Sequence, residues 1–278
     1  MRTLALRSDL AGSSDGAIFF GMTDTSPTAA VLLIGDELLS GRTRDINLQQ
    51  IAGYLAPLGI PVRETRIVPD VEEEIVEAVN ALRNKYTYVF TTGGIGPTHD
   101  DITADAIAKA FNVEISEHPE VTAMLAERYA QMGTEYTPAR RRMARVPHGA
   151  SIVANPVSGA PGFQTGNVFT LAGVPSVARA MLEDIGPRLK TGAVIHKVTI
   201  RGRGLREGDI AEPLGVMAQE MGDVALGSYP WFRGIGDNGV HLVASTTNEA
   251  LIPLITEKLE AIISATGVQP ERVEDANA

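Results

Sequence analysis

Residues 91–103 read T-T-G-G-I-G-P-T-H-D-D-I-T, and what flanks this run decides the fold class. The β-branched and aromatic stretch Y-T-Y-V-F at 86–90 precedes it, and the helix-like stretch 104–111 follows, so a strand, a glycine turn and a helix start lie end to end. Gly93, Gly94 and Gly96 admit positive φ and close backbone approach, which lets peptide N–H groups point at an anion. Pro97 stiffens the exit. Thr98, Asp100, Asp101 and Thr103 stand where the next helix takes its N-cap. One cap residue is enough, and adjacent carboxylates repel, so the surplus acid points to a site. The plain alternative is a tight turn with an over-decorated cap.

Upstream, the continuous apolar run A-A-V-L-L-I at 29–34 reads as a central parallel strand buried on both faces. It ends at Gly35-Asp36-Glu37, acid at the carboxyl end of a strand, which is where open α/β sheets bind ligands; a solvated turn is the other reading. Asp45 or Thr43 caps a helix through Tyr54 whose Ile46, Ile51 and Leu55 share one face, with Gly59 closing it. Asn47 can cap that helix or touch ligand. Residues 60–68 read as a second strand, 71–84 as an amphipathic helix with Asp70 at its N-cap, and 86–91 as the third strand. Capping alone accounts for an Asp at position 70. The alternation predicts right-handed crossovers and a parallel sheet, with Asp36, Asp70 and Asp101 on one rim.

Downstream, helices are predicted over 119–132 and 138–145, and strands over 151–154 and 167–171 around the loop 155–163, whose shape Gly159, Pro161 and Gly162 set. A strand again ends at a glycine, Gly173, before a helix over 177–189 with Pro175 in its first turn. Beyond 190–194 the pattern changes to strand 196–200, helix 205–221, strands 223–229 and 240–246, and helix 248–266, a separate α+β module. Trp231 follows Ser228-Tyr229-Pro230 in its hairpin and is read as partly buried. Residues 1–28, polar with scattered apolar positions, read as disordered, with Met22 as a candidate start, and 267–278 as a frayed tail.

The chain has 278 residues, 44% of them hydrophobic, enough for one large domain or two modest ones. A net charge of −10 argues against a chain-wide nucleic-acid surface, so a small-molecule partner is expected. Arg140, Arg141, Arg142 and Arg145 form a local basic run that reads as a solvated helix face or a phosphate contact. No cysteine is present, which excludes disulfides, thiolate nucleophiles and Cys-bound zinc. No apolar run approaches the about 20 residues of a membrane span, and a cytoplasmic, membrane-free protein is expected. His99 reads as a loop residue beside two acids, with no nucleophile–base pair evident.

Three stretches in order, G-D-E-L-L-S-G at 35–41, the run at 91–103 and N-P-V-S-G-A-P-G-F at 155–163, carry a family likeness. The chain resembles the molybdopterin-binding-fold domain of competence/damage-inducible protein A, and the similar domain of eukaryotic FAD synthetases, over residues 29–266. The resemblance implies a three-layer, mostly parallel α/β domain over 29–190 and a small KH-like α+β module over 194–266. It implies metal-dependent hydrolysis of a nucleotide diphosphate bond, of the ADP-ribose or FAD type, with adenylyl transfer to molybdopterin or non-catalytic pterin or nucleotide binding as the alternatives. On that reading Asp36, Asp70 and Asp101 are catalytic, and Asp70, Asp100 and Asp101 hold a divalent Mg, Mn or Co ion. Gly35, Glu37, Asp45, Asn47, Gly93, Gly94, Gly96, Thr98, Thr103, Asn155 and Gly173 would bind substrate. A homodimer is implied as well. Ala172 departs from the usual Pro of the family. The small module's G-R-G at 202–204 follows a strand instead of joining two helices, so nucleic acid is not expected there. Longer relatives continue into an amidase domain, whose activity is not carried over.

Overall fold

A computed structural model describes residues 26–234 and 236–273. Its first strand is the apolar run, β1 (Ala29–Ile34), every residue of which is buried. There follow α1 (Asp36–Leu39), α2 (Asn47–Leu55), β2 (Val62–Val68), α3 (Glu72–Arg83), β3 (Tyr88–Thr92) and α4 (Thr103–Phe111). Next come β4 (Ile115–Glu117), α5 (Pro119–Gln131), α6 (Pro138–Arg141), β5 (Arg145–Pro147), β6 (Ser151–Val153), β7 (Gly162–Thr165), β8 (Val168–Leu171) and α7 (Pro175–Ile185). The main sheet runs β2-β1-β3-β8-β7-β6. Its first four strands are parallel, while β7 and β6 are antiparallel additions at one edge.

The pleat of β1 divides the core. Ala29, Val31 and Leu33 pack with α2 and α7 on one face, while Ala30, Leu32 and Ile34 pack with α3 and α4 on the other. Phe90 and Phe169, neighbours in register on β3 and β8, stack with centroids 5.2 Å apart. The result is the expected three-layer, mostly parallel α/β domain.

The second module contains β9 (His196–Arg203), α8 (Glu207–Glu220), β10 (Ala225–Gly234), β11 (Asp237–Thr246), α9 (Ile252–Ser264) and β12 (Pro270–Val273). Its sheet is antiparallel in the order β10-β11-β9-β12, with Ile200, Val240, Leu242 and Ala244 buried among residues of α8 and α9. No helix of the described residues is long and apolar enough to cross a membrane.

Several boundaries differ from the sequence reading. Strand β7 replaces the end of the loop 155–163, because Gly162 presses against β8, where an added Cβ would lie 2.3 Å from the Thr170 carbonyl oxygen. Residues 270–273, read as frayed, form the edge strand beside β9. The small-module hairpin is also longer than read and takes in partly buried Trp231. The expected disorder over 1–28 lies outside the described residues up to 25. Of the rest, Pro27 is buried, and Thr28 is held at both ends, its N–H donating to Thr87 Oγ1 at 3.1 Å and its carbonyl accepting from Tyr88 at 3.0 Å. The candidate start at Met22 also lies outside the described residues.

Candidate functional site

The carboxyl ends of β1, β2, β3 and β8 share one edge of the sheet, so the turns after them meet. The turn after β3 is held on two sides. Gly93 has φ 102°, and a Cβ there would lie 2.2 Å from the Ile34 carbonyl oxygen; Gly94 has φ 66°, and a Cβ there would lie 2.2 Å from Thr103 Oγ1. Both positions therefore require glycine. The Thr103 N–H donates to the Gly94 carbonyl at 3.0 Å and fixes the turn to the start of α4. Gly173, after β8, comes against Gly93 from the other side. The N–H groups of Gly94, Ile95 and Gly96 have no protein acceptor among the described residues.

These turns bound a cleft of about 460 Å³. Of the residues expected at the site, Gly35, Glu37, Asp70, Gly93, Gly94, Gly96, Asp100, Asp101 and Gly173 line it. Met143, Ser158 and Ala160 also line it, with the apolar Ile34, Ile95, Ala172, Val174 and Val177.

Asp70 does not cap α3. The N-cap position is Val71 and no side chain bonds there, while Asp70 Oδ2 reaches across to accept from the Asp36 N–H at 3.1 Å. Burial raises the Asp70 carboxyl above the usual carboxylate range; the Asp36 N–H lowers it, and the nearby charges of Asp36, Glu37 and Asp100 raise it further. Asp36 supplies a backbone donor to the rim but is not among the cleft-lining residues.

Asp101 does not cap α4 either, where the cap position is Ile102 without a side-chain bond. Its Oδ2 turns back to accept from the Thr98 N–H at 2.7 Å and the Thr98 hydroxyl at 2.5 Å, closing a short loop. Thr98 thus serves Asp101; it is exposed and is not among the cleft-lining residues. Arg142, in the turn just after α6, donates to the Asp101 carbonyl at 3.0 Å and holds this loop.

Other expected residues are used as struts. Asp45 accepts from the Asn47 and Leu48 N–H groups at 3.1 Å each, so it caps α2 away from the cleft. Asn47, 5% exposed, donates to the Gly173 carbonyl at 2.8 Å and ties the β8 turn to α2, leaving its Oδ1 without a partner. Thr103 is fully buried against Gly94. Asn155 spends its amide inside its own loop, accepting from Val157 and Ser158 N–H and donating to the Ser158 hydroxyl and the Ala160 carbonyl. That loop separates the cleft from a second hollow, which Asn155 lines. Asn155 shapes the wall and Ser158 reaches the cleft.

The basic run disperses. Arg140 lies over the Tyr129 ring at 4.6 Å, Arg141 pairs with Glu117 and Arg145 with Asp105, so only Arg142 serves the site loop. The basic run drew attention to Arg142 without separating it from its neighbours, and no local signal marked Met143. Among the described residues no three Asp, Glu, His or Cys side chains converge as a metal cage, so Asp70, Asp100 and Asp101 share a rim without forming one.

The model of a probable molybdopterin binding domain matches residues 30–191. A Pyrobaculum calidifontis protein is 39% identical over 212 residues, covering 73% of this chain and 81% of that one. A CinA-like protein of Gloeobacter violaceus is 35% identical over 197 residues, 67% of this chain and 46% of that one. The crystal structure of CinA from Thermoplasma acidophilum, a protein described as of unknown function, superimposes with a TM-score of 0.55 at 32% identity, covering 59% of this chain and 98% of that one.

Proposed function

Because the chain belongs to the family of probable molybdopterin binding domains, we propose that its cleft binds a phosphate-bearing nucleotide or pterin and hydrolyses the diphosphate bond of a nucleotide such as ADP-ribose or FAD. The observation that carries this reading is the pairing, in one cleft, of three unpartnered backbone N–H groups at Gly94, Ile95 and Gly96 with the raised-pKa carboxyl of Asp70. Successive peptide N–H groups suit phosphate oxygens. A carboxylate with a raised pKa suits a proton acceptor.

In the hydrolytic step a water oxygen forms a bond to one phosphorus, the bond from that phosphorus to the bridging oxygen breaks, and the leaving phosphate takes the electron pair. Asp70 takes the water proton. The glycine-turn N–H groups hold the non-bridging oxygens, where charge gathers in the transition state. Thr98, Asp101 and Arg142 keep that turn in place through their mutual bonds.

Five acids, Asp36, Glu37, Asp70, Asp100 and Asp101, lie on or beside the rim, and a polyphosphate would be repelled without a counter-charge. A divalent ion of the Mg, Mn or Co type fits this donor set as a bridging ion, since such ions take one or two carboxylates and complete their shell with phosphate and water. Asp100 and Asp101 would hold it from the rim, leaving Asp70 free to take the proton. When bound, it would supply charge neutralisation at the phosphates.

The test is incubation of purified protein with ADP-ribose or FAD and each metal, with AMP release followed by chromatography. Release that is lost in Asp70→Asn supports hydrolysis. Tight binding without AMP release would overturn turnover in favour of a carrier, and transfer of an adenylyl group to molybdopterin would assign the adenylyltransferase reaction.

A further inference from the structure

The sheet of the small module buries one face beneath α8 and α9. Its other face carries alternate residues of β9, β10 and β11. Register places Tyr229, His241, Arg201 and, on β12, Glu271 in one row, and Trp231, Gly239 and Arg203 in the next. The rows lie about 7 Å apart, two residues along each strand. Arg233 continues beyond Trp231 on β10.

The contacts within this face bring positive charge onto aromatic rings. The Arg203 and Arg233 guanidinium groups lie 5.7 and 5.8 Å from the Trp231 ring centroid, and His241 stacks on the same ring at 6.0 Å. Arg201 Nε donates to His241 Nε2 at 3.0 Å, which makes that nitrogen an acceptor. Burial, then the charges of Arg201 and Arg233, holds the imidazole below its ordinary pKa and so neutral. Arg203 pairs with Asp237 at 3.1 Å, but Arg201 and Arg233 have no carboxylate partner among the described residues. Tyr229, 58% exposed, offers an open ring beside them. Gly239 leaves the middle of the second row flat.

We propose that this face binds single-stranded nucleic acid, with bases on Tyr229 and Trp231 and phosphates on Arg201, Arg203 and Arg233. Three arginines against the two carboxylates of Asp237 and Glu271 leave the face positive, which favours an anion. Aromatic rings interleaved with them favour an anion that carries flat bases, the pairing that sequence-tolerant single-strand sites use. An acidic protein segment would satisfy the arginines and leave the rings unused. The chain-wide charge of −10, read above as arguing against a chain-wide nucleic-acid surface, is an average that three strands locally reverse. It also sets the strength: repulsion from the rest of the molecule makes the binding weak.

Trp231 is the single tryptophan, so its fluorescence reports on this face. Titration of the full chain with single-stranded oligouridine at low salt should quench it to saturation. The affinity should fall with salt with a log–log slope of about −2, three phosphates at about −0.7 each for single strands. Arg201→Gln and Arg233→Gln should each flatten that slope, Tyr229→Ala should weaken binding about tenfold or more, and a duplex should not compete. Absence of quenching up to about 10⁻⁴ M, the weak end of non-specific binding, would overturn the proposal. So would binding that ignores these substitutions. Arginine substitutions that change the mass in light scattering while leaving oligouridine binding intact would assign the face to a protein contact instead.

Discussion

Asp70→Asn separates the two things that Asp70 does. In the folded chain its carboxyl is raised by burial and by the charges of Asp36, Glu37 and Asp100. A carboxyl raised in this way binds its proton more tightly folded than unfolded. The fold therefore loses stability as pH climbs from the unfolded value of about 3.9 through the raised one, and the full penalty is present at neutral pH. The amide keeps an oxygen to accept from the Asp36 N–H, a bond of 3.1 Å, and removes the charge. Because Asp70 is only partly buried, solvent screens the repulsion, and the relief is on the order of 0.5–1 kcal/mol. For a chain of this size that corresponds to a Tm higher by roughly 1–4 °C at pH 7. The gap between variant and wild type should close as pH falls below about 3.9, where both side chains are neutral. AMP release should meanwhile fall at least ~10²-fold, the lower end of a positioned general base. Calorimetry between pH 3 and 8, with chromatography on the same samples, reads both. A variant that melts lower than wild type at pH 7, or one that keeps its activity, would refute the account of Asp70 as a strained proton acceptor.

Gly93→Ala should cost about 2–5 kcal/mol in urea unfolding, since a Cβ would lie 2.2 Å from the Ile34 carbonyl oxygen on a backbone of φ 102°. A cost under about 1 kcal/mol would mean that the turn can shift away from β1. Asn155→Ala removes a side chain that bonds Val157, Ser158 and Ala160, and is expected to cost about 1–3 kcal/mol and to raise KM more than it lowers kcat, because it loosens a wall and touches no reacting atom. An equal fall in kcat would place Asn155 in the chemistry. Light scattering should give twice the 29.5 kDa chain mass if the homodimer that the family likeness implies forms; a monomer at micromolar concentration would end that expectation.

Much of the architecture could be read directly. The run 29–34 is apolar at every position, so both of its faces had to be buried, and β1 became the centre of a parallel sheet. The spacing of Ile75, Val79 and Leu82 marked the buried face of α3, and these residues pack on the side of the sheet that Ala30 and Leu32 face. Short pieces were missed where pattern is brief. Strands β4 and β5 are three residues each, too few for alternation to register, and β12 is a polar edge whose only claim to order is the ladder with β9.

The site divides along the same line. The glycines at 93 and 94 announced a tight strand-to-helix turn from sequence alone, because positive φ and backbone approach are properties of single residues. Which acid does what was not local. Asp70 and Asp101 stood at positions where a cap explains an Asp, and only the crossing of β1 beside β2, and the return of the 98–101 loop on itself, turned those carboxylates elsewhere. Asn47, Asp45 and Asn155 went the other way, drawn into bonds that hold turns together. Four neighbouring arginines separated onto a Tyr ring, two acids and a carbonyl, while Arg201, Arg203, Arg233 and Trp231, scattered over some thirty positions, were brought onto one face by strand register. Periodicity and turn chemistry act over a few residues and so are written in the order of the chain. The direction of a polar side chain depends on donors and acceptors tens of residues away, and those distances exist only once the sheet has closed.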